Sequence, residues 1–305
     1  MTTDYILFVH GVKNRNLAAF ERTSLGLLQG IQRSLGDSRH TFKPIFLFWG
    51  DLNVQPLQKL TQGLTASPQW KKLLFREFRT QEILEFVGDA ALYLSRHVGS
   101  QVVYRIKETA LGPLEEAKEG DRLHLVTHSM GTVILFDILF AGRWEDPRLD
   151  QAASTQNVRR IVSTIRNALF GMGHNPGVGL PIASIHTMGS PIALFSLLTA
   201  TGESSHDLTA NFQDLLQNLY QRHERKALIW NNFIHPGDPI AYPLQGIIPT
   251  VLATADRYVQ VRDVITENRN LPVNLGLIPL LWGGDAHGSY WQSPRVAQAI
   301  AAALR

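Results

Sequence analysis

The stretch Leu123-His124-Leu125-Val126-Thr127-His128-Ser129-Met130-Gly131-Thr132, followed by Val133 to Phe140 (VILFDILF), decides the fold. Leu123 to Val126 is an apolar run of strand length, which reads as a buried strand. Thr132 to Phe140 is apolar nearly all round, the pattern of a helix buried on every side. Between them Ser129 stands at the tip of a short turn. Gly131 just beyond it lets the helix pass close to the strand, where a Cβ would collide. Strand, sharp turn and buried helix together lift a serine hydroxyl out of the edge of a sheet, the geometry of a nucleophile elbow. The first position of the usual G-x-S-x-G pattern is Thr127 here.

Outward from this unit, strands alternate with helices. Strands are expected at Tyr5 to Val9, Pro44 to Trp49, Ile182 to Met188, Ala227 to Ile234 and Tyr258 to Thr266. Helices are expected at Leu17 to Leu35, Ser67 to Leu94, Val102 to Lys118, Val158 to Phe170, Leu194 to Ala200, Phe212 to Lys226 and Ser293 to Leu304. This alternation predicts an α/β fold: a mostly parallel sheet with helices on both faces. No repeat, linker or low-complexity tract interrupts it. The expectation is a single domain over 1–305, with insertions at 51–98 and 142–181 as candidate caps.

The bulk composition narrows the function classes. Of 305 residues, 44% are hydrophobic and 18% charged, a globular balance. Lys and Arg total 29 against 26 Asp and Glu, and a net charge of +3 is too small to argue for nucleic acid. With no Cys there is no disulfide, thiol nucleophile or thiolate metal site. The N-terminus runs almost directly into an apolar strand without a basic, cleavable leader, so the expected setting is cytoplasmic. No uncharged apolar run reaches the roughly 18 residues of a membrane span. Leu271 to Trp282 comes nearest, and two prolines and an Asn break it.

In open α/β sheets, sites form beyond the carboxyl ends of the strands. Four such ends carry suggestive residues: His10-Gly11-Val12 after the first strand, Ser129 after the third, Asp238 after the fifth, and His287 after the last. A serine hydroxyl needs a base to take its proton. His287 can do that near neutrality and return the proton to a leaving group. Asp238 would fix the imidazole tautomer and stabilise the imidazolium. The oxyanion of a tetrahedral intermediate needs donors already in place, and the backbone amides of Met130 and Val12 are the candidates.

These residues, in the chain order Ser, Asp, His, resemble the α/β-hydrolase superfamily, most closely its lipase-like branch. Val9-His10-Gly11 is similar to the turn that carries the oxyanion strand there. Thr187-Met188-Gly189-Ser190-Pro191 is similar to the T-F-G-S-P stretch of class 3 lipases. Asp238-Pro239-Ile240-Ala241-Tyr242-Pro243-Leu244 resembles their D-P-V-x-x-L-P acid loop with Pro and Leu exchanged, and His287-Gly288-Ser289-Tyr290-Trp291 resembles their final histidine segment. Thr127 departs from a typical class 3 member, so the resemblance implies a divergent esterase or lipase with an acyl-serine intermediate. It implies a small-molecule or lipid ester as substrate and no cofactor. An amidase or thioesterase using the same triad, and a non-catalytic binding module on the same fold, remain the alternatives.

Rival residues fit the roles less well by position. Asp263 lies inside an expected strand and Asp256 precedes it; Asp285 is two residues from His287 and shapes its loop. His128 is expected to be packing support, His10 to hydrogen-bond within its turn, and His235 to sit at a strand end before the acid. His124, His174, His186, His206 and His223 show no metal-ligand spacing, so no metal is expected. Trp70 to Arg79 (WKKLLFREFR) is basic and amphipathic. It is expected to pack on the sheet with a solvated basic face; a lid or lipid-facing surface is the less favoured reading.

Overall fold

A computed structural model describes residues 2–36, 40–151, 155–195, 207–267 and 286–305. Six strands, β1 (Thr3–Val9), β2 (Thr41–Leu47), β3 (Arg122–His128), β4 (Ile182–Met188), β5 (Leu228–Ile234) and β6 (Val259–Ile265), form one sheet in the order β2-β1-β3-β4-β5-β6. Every pairing is parallel. The chain steps one way from β1 to β2 and the other way from β3 to β6. This reversal opens a crevice beyond the carboxyl ends of β1 and β3, where the first and third strands deliver their loops.

Both faces of the sheet are covered. Tyr5, Leu7 and Val9 of β1 point into one apolar core and Ile6 and Phe8 into the other, the two-residue period of a strand buried on both sides. The helices Leu17–Leu35 and Pro294–Leu304 close the second core with Leu27, Ile31, Val296 and Ile300. The first of these is capped by the Asn16 side chain, which accepts from Ala19 N–H at 3.0 Å, and ends at Gly36 with φ 64°. The other core takes the helices Arg96–Ile106, Met130–Phe140, Val158–Asn167 and Thr209–Arg222. All eleven residues of Met130–Phe140 are buried, which accounts for the absence of a polar stripe in its sequence. Among the described residues, no helix is long and apolar enough to cross a membrane.

Several elements differ from the sequence expectation. The second strand begins earlier and ends at Leu47, because Trp49 leaves the sheet: its amide donates to the His10 ring at 3.0 Å and its indole N–H to the His10 carbonyl at 3.0 Å. A helix at Val54–Ala66 was not anticipated. The expected helix over Ser67 to Leu94 is broken. Ser67 and Pro68 end the preceding helix, Trp70–Lys72 is a single tight turn, and Phe75 takes a left-handed φ of 54° before the chain turns helical again. The apolar stripe of Trp70 to Arg79 therefore does not pack on the sheet; Leu74 is 73% exposed and Phe75 76%. Of the expected helix Leu194 to Ala200, residues 194 and 195 are described, in the helical turn Ile192–Phe195. The remainder of that helix, Leu271 to Trp282, Asp285 and His206 lie outside the described residues.

Candidate active site

Ser129 occupies the turn between β3 and the helix Met130–Phe140, with φ 54° and ψ −133°. A non-glycine residue at positive φ is strained, and such strain at a strand-to-helix turn is what turns the side chain out of the sheet. The neighbours hold it there. Ser129 N–H donates to the Met188 carbonyl at 2.9 Å. Thr127 faces Thr132 across the turn, their hydroxyls 2.8 Å apart, so the residue that departs from glycine closes the elbow with its own hydrogen bond. A Cβ on Gly131 would stand 2.4 Å from the His10 carbonyl oxygen, and one on Gly11 would stand 2.4 Å from Ser129 Cβ. Only glycines permit the β1 loop to lie against the serine turn.

That β1 loop is shaped by His10. Its Nε2 accepts the Trp49 amide, so its Nδ1 carries the proton and donates to the Gly11 carbonyl at 2.6 Å. Holding the carbonyl of a trans peptide fixes its N–H on the opposite side, and here that N–H belongs to Val12. Burial drives the His10 pKa down to about 3, so the ring stays neutral and keeps this tautomer. Met130 is the first residue of its helix, where the amide has no carbonyl one turn back to receive it. The turn thus sets two backbone N–H groups, of Val12 and Met130, on loops that meet at Ser129.

Asp238 follows β5 on the turn His235-Pro236-Gly237-Asp238. Its amide donates to the His235 carbonyl at 2.9 Å, and its Oδ1 accepts from Ile240 N–H at 3.1 Å. Oδ2 accepts from His287 Nδ1 at 2.8 Å and from the Tyr290 hydroxyl at 2.7 Å. Burial works to raise the Asp238 pKa, but His287, Tyr290 and the Ile240 amide outweigh it and hold the carboxyl below its usual value. Burial and the adjacent carboxylate push the Tyr290 phenol far upward, so it remains a donor. A Cβ on Gly189, which has φ 55°, would come within 2.7 Å of Asp238 Oδ2 and 3.0 Å of His287 Nδ1. That glycine at the end of β4 is what lets acid and imidazole meet.

Three polar atoms of these residues are left over. Ser129 Oγ, His287 Nε2 and His128 Nδ1 are buried and have no hydrogen-bond partner. His128 links their surroundings: its ring centroid lies 4.5 Å from that of His287, and its Nε2 is 2.7 Å from the His287 carbonyl oxygen. An unpaired buried hydroxyl and imidazole nitrogen are costly unless a ligand uses them. The structure brings the sequence candidates Asp238 and His287 into contact, and Val12 and Met130 lie on the two loops flanking Ser129. The sequence reading underestimated His128, which bonds the backbone of His287 and does more than pack. Tyr290 and Gly189 carried no role in the residue-by-residue reading; only their places beside His287 and Ser190 drew notice.

The rivals are placed elsewhere. Asp263 accepts from Asn232 Nδ2 at 2.8 Å, Leu244 N–H at 2.9 Å and Gln245 N–H at 3.0 Å, and so ties down the loop after β5. His235 Nδ1 accepts the Gly237 amide at 3.0 Å and its own N–H donates to Tyr290, a role in shaping the acid turn. His124 and His186 are wholly buried in a polar chain on the sheet: Asp4, His124, Ser184 and His186 are joined by contacts of 3.2, 2.6 and 2.7 Å.

No family model matches the chain, and no curated protein is similar to it in sequence. Two solved structures show a distant likeness. One is an iodinated complex of acetyl xylan esterase, at 9% identity over 97% of this chain and 98% of that chain, with a TM-score of 0.30. The other is the RedJ thioesterase from the prodiginine biosynthetic pathway in Streptomyces coelicolor, at 13% identity over 99% of this chain and 90% of that chain, with a TM-score of 0.32. The reading of the site rests on the geometry of this chain's own residues.

Proposed function

We propose that this protein is a serine hydrolase that cleaves a carboxylic ester through an acyl intermediate on Ser129. The observation that carries the reading is the state of His287. Its Nδ1 is engaged by a buried carboxylate, while its Nε2 and the Ser129 hydroxyl are, with His128 Nδ1, buried and unpaired. Asp238 keeps the proton on Nδ1, which leaves Nε2 as a base. When substrate enters, Nε2 takes the Ser129 proton as Oγ attacks the ester carbon. The charge forming on the carbonyl oxygen is met by the amides of Met130 and Val12, each worth about 3 kcal/mol of barrier in sites of this kind. The imidazolium then protonates the departing alcohol, and water repeats the sequence to release the acid. Hydrogen bonds between nucleophile and base are often unformed before substrate arrives, which agrees with two free atoms rather than a closed pair.

The acyl side of the substrate is proposed to be apolar. Ile192 and Ala193 follow Gly189 by three and four residues and line a recess with Phe136, Phe212, Trp230 and Leu244. Turnover of p-nitrophenyl acyl esters, matched thioesters and anilides by the wild type and by Ser129→Ala tests the reading. Ester cleavage lost in the variant supports it. Equal rates from the two proteins, or turnover of the anilide alone, would reject it.

A further inference from the structure

The broken helix at 67–84 leaves a surface that the catalytic reading does not use. Trp70-Lys71-Lys72-Leu73-Leu74-Phe75-Arg76 forms the tip at this break, a tight turn followed by the left-handed Phe75, with 71–76 exposed and Trp70 half-buried. Its shape is set by its own arginines: Arg76 Nη1 donates to the Lys71 carbonyl at 3.3 Å, and Arg79 Nε to the Leu74 carbonyl at 3.0 Å. Phe75 holds a left-handed backbone that a bulky residue rarely adopts, yet its ring gains no burial from it. Leu74 and Phe75 are the two most exposed large apolar side chains among the described residues. Behind the tip an open apolar groove runs between Val54–Ala66 and Glu85–Leu94, lined by Leu60, Leu64, Trp70, Leu73, Ile83 and Val87. Contiguous apolar exposure on this scale marks an interaction surface.

The charge around it says what kind. Lys71, Lys72 and Arg76 stand within the tip and Arg79 just behind it; residues 70–76 contain no acid, and the stretch 70–79 holds four basic side chains against one acidic, Glu77. Both lysines are exposed and have no ion-pair partner among the described residues. Exposed aliphatic and aromatic side chains flanked by basic ones, with a Trp beside them, match the boundary of a bilayer that carries anionic headgroups. The surface also has a firm footing. Asp89, on the same helix as Val87, accepts from Lys13 N–H at 3.1 Å, Arg15 at 2.8 Å and Asn53 Nδ2 at 2.9 Å. The apolar face is thereby tied to the loop that continues from Gly11 and Val12.

We propose that the Trp70–Arg76 tip and its groove dock this protein on the surface of an anionic lipid bilayer, with Leu74 and Phe75 inserted among the headgroups and Lys71 and Lys72 against the phosphates. The inference does not rest on the catalytic reading, and Ser129→Ala serves as the control that separates them. Flotation of the full chain is measured with phosphatidylcholine vesicles with and without phosphatidylserine, at low and high salt. Wild type and Ser129→Ala should bind the anionic vesicles alike, and more weakly as salt rises. Lys71→Glu with Lys72→Glu should weaken binding by about 30-fold or more, at roughly fivefold for each lysine removed. Leu74→Ser with Phe75→Ser should weaken it by at least about tenfold while leaving the melting temperature unchanged, since both side chains are already in water. Absence of binding to anionic vesicles, equal binding to neutral ones, or indifference to the tip variants would overturn the proposal. A dimer in lipid-free solution that the Leu74, Phe75 variant dissolves would also overturn it, assigning the face to a second copy of the chain.

Discussion

His128 Nε2 lies 2.7 Å from the main-chain oxygen of His287, so the residue before the serine holds the backbone of the residue that pairs with Asp238. A carbonyl can only accept, which places the His128 proton on Nε2 and leaves its Nδ1 bare. Burial first, then the nearby His287, drives the His128 pKa down to about 3, so this donor is present at any working pH.

A first prediction follows for His128→Phe, which keeps a ring and loses the donor. The His287 backbone would no longer be fixed against the serine turn, and displacement of about 1 Å at a catalytic group costs on the order of 10²-fold. Ester turnover should fall 10- to 100-fold (roughly), mostly in kcat, and His128→Gln should recover part of it. Steady-state kinetics on protein of unchanged circular dichroism checks this; unchanged kcat in His128→Phe would leave His128 as packing only.

Gly189→Ala should separate acid from imidazole. The added methyl would enter at 2.7 Å from Asp238 Oδ2, on a backbone at φ 55° that alanine resists. Overpacking of this kind costs about 1–3 kcal/mol. The expected outcome is a lower melting temperature together with a loss of turnover per folded molecule. A variant with full activity would show that Asp238 and His287 are not needed as a pair.

Asp238 and Asp263 should part company on mutation. Asp238→Asn should cut kcat by about 10⁴, because the amide favours the wrong imidazole tautomer and cannot stabilise the cation. Asp263→Asn loosens the loop held through Asn232, Leu244 and Gln245, and should lower thermal stability more than kcat. The reverse pattern would move the acid to Asp263.

Acid should destabilise the fold from near pH 6 downward. His10, His124, His128 and His186 are buried with pKa values below the ordinary 6.5, reaching about 3 for His10 and His128. As pH falls below 6.5 the unfolded chain binds these protons and the folded chain does not, so the stability they contribute is lost between 6.5 and the folded values. Each such proton is worth about 1.4 kcal/mol per pH unit. Asp4 adds a second window. Its burial is outweighed by hydrogen bonds from His124 and His40 and the charge of Arg122, which hold it at about 2 against 3.8, so its contribution is lost as pH falls from about 4 to 2. Melting temperatures measured between about pH 7 and 4.5 should fall steeply; a flat profile would contradict the burial of neutral histidines.

The sheet was legible because its four central strands are buried on both faces. Ile182 to Met188 and Leu228 to Ile234 are short, uncharged segments of strand length rich in Ile, Leu, Trp and Phe, closed by Gly189 and by Pro236-Gly237. The elbow was legible for the same reason, since Leu123 to Val126 and Thr132 to Phe140 are buried throughout and nearly all apolar. The site read less completely. A hydrogen bond from a side chain to a distant backbone carbonyl, as from His128 to His287, leaves no periodic trace in sequence. Gly189 looks like any strand-end glycine until the acid and imidazole are seen on either side of it. The stripe at Trp70 to Arg79 misled because helical spacing says which side chains share a face, not what that face meets. Pro68 and the left-handed Phe75 broke the helix before it could reach the sheet.

The most direct test of the catalytic reading is labelling with a fluorophosphonate, which a serine attacks only when a base activates it. Intact-mass and peptide analysis of the wild type should show one adduct per chain, on the peptide carrying Ser129, formed far more slowly in His287→Ala and absent in Ser129→Ala. A folded wild-type protein that takes no label, or takes it at another residue, would contradict the assignment of Ser129 as nucleophile.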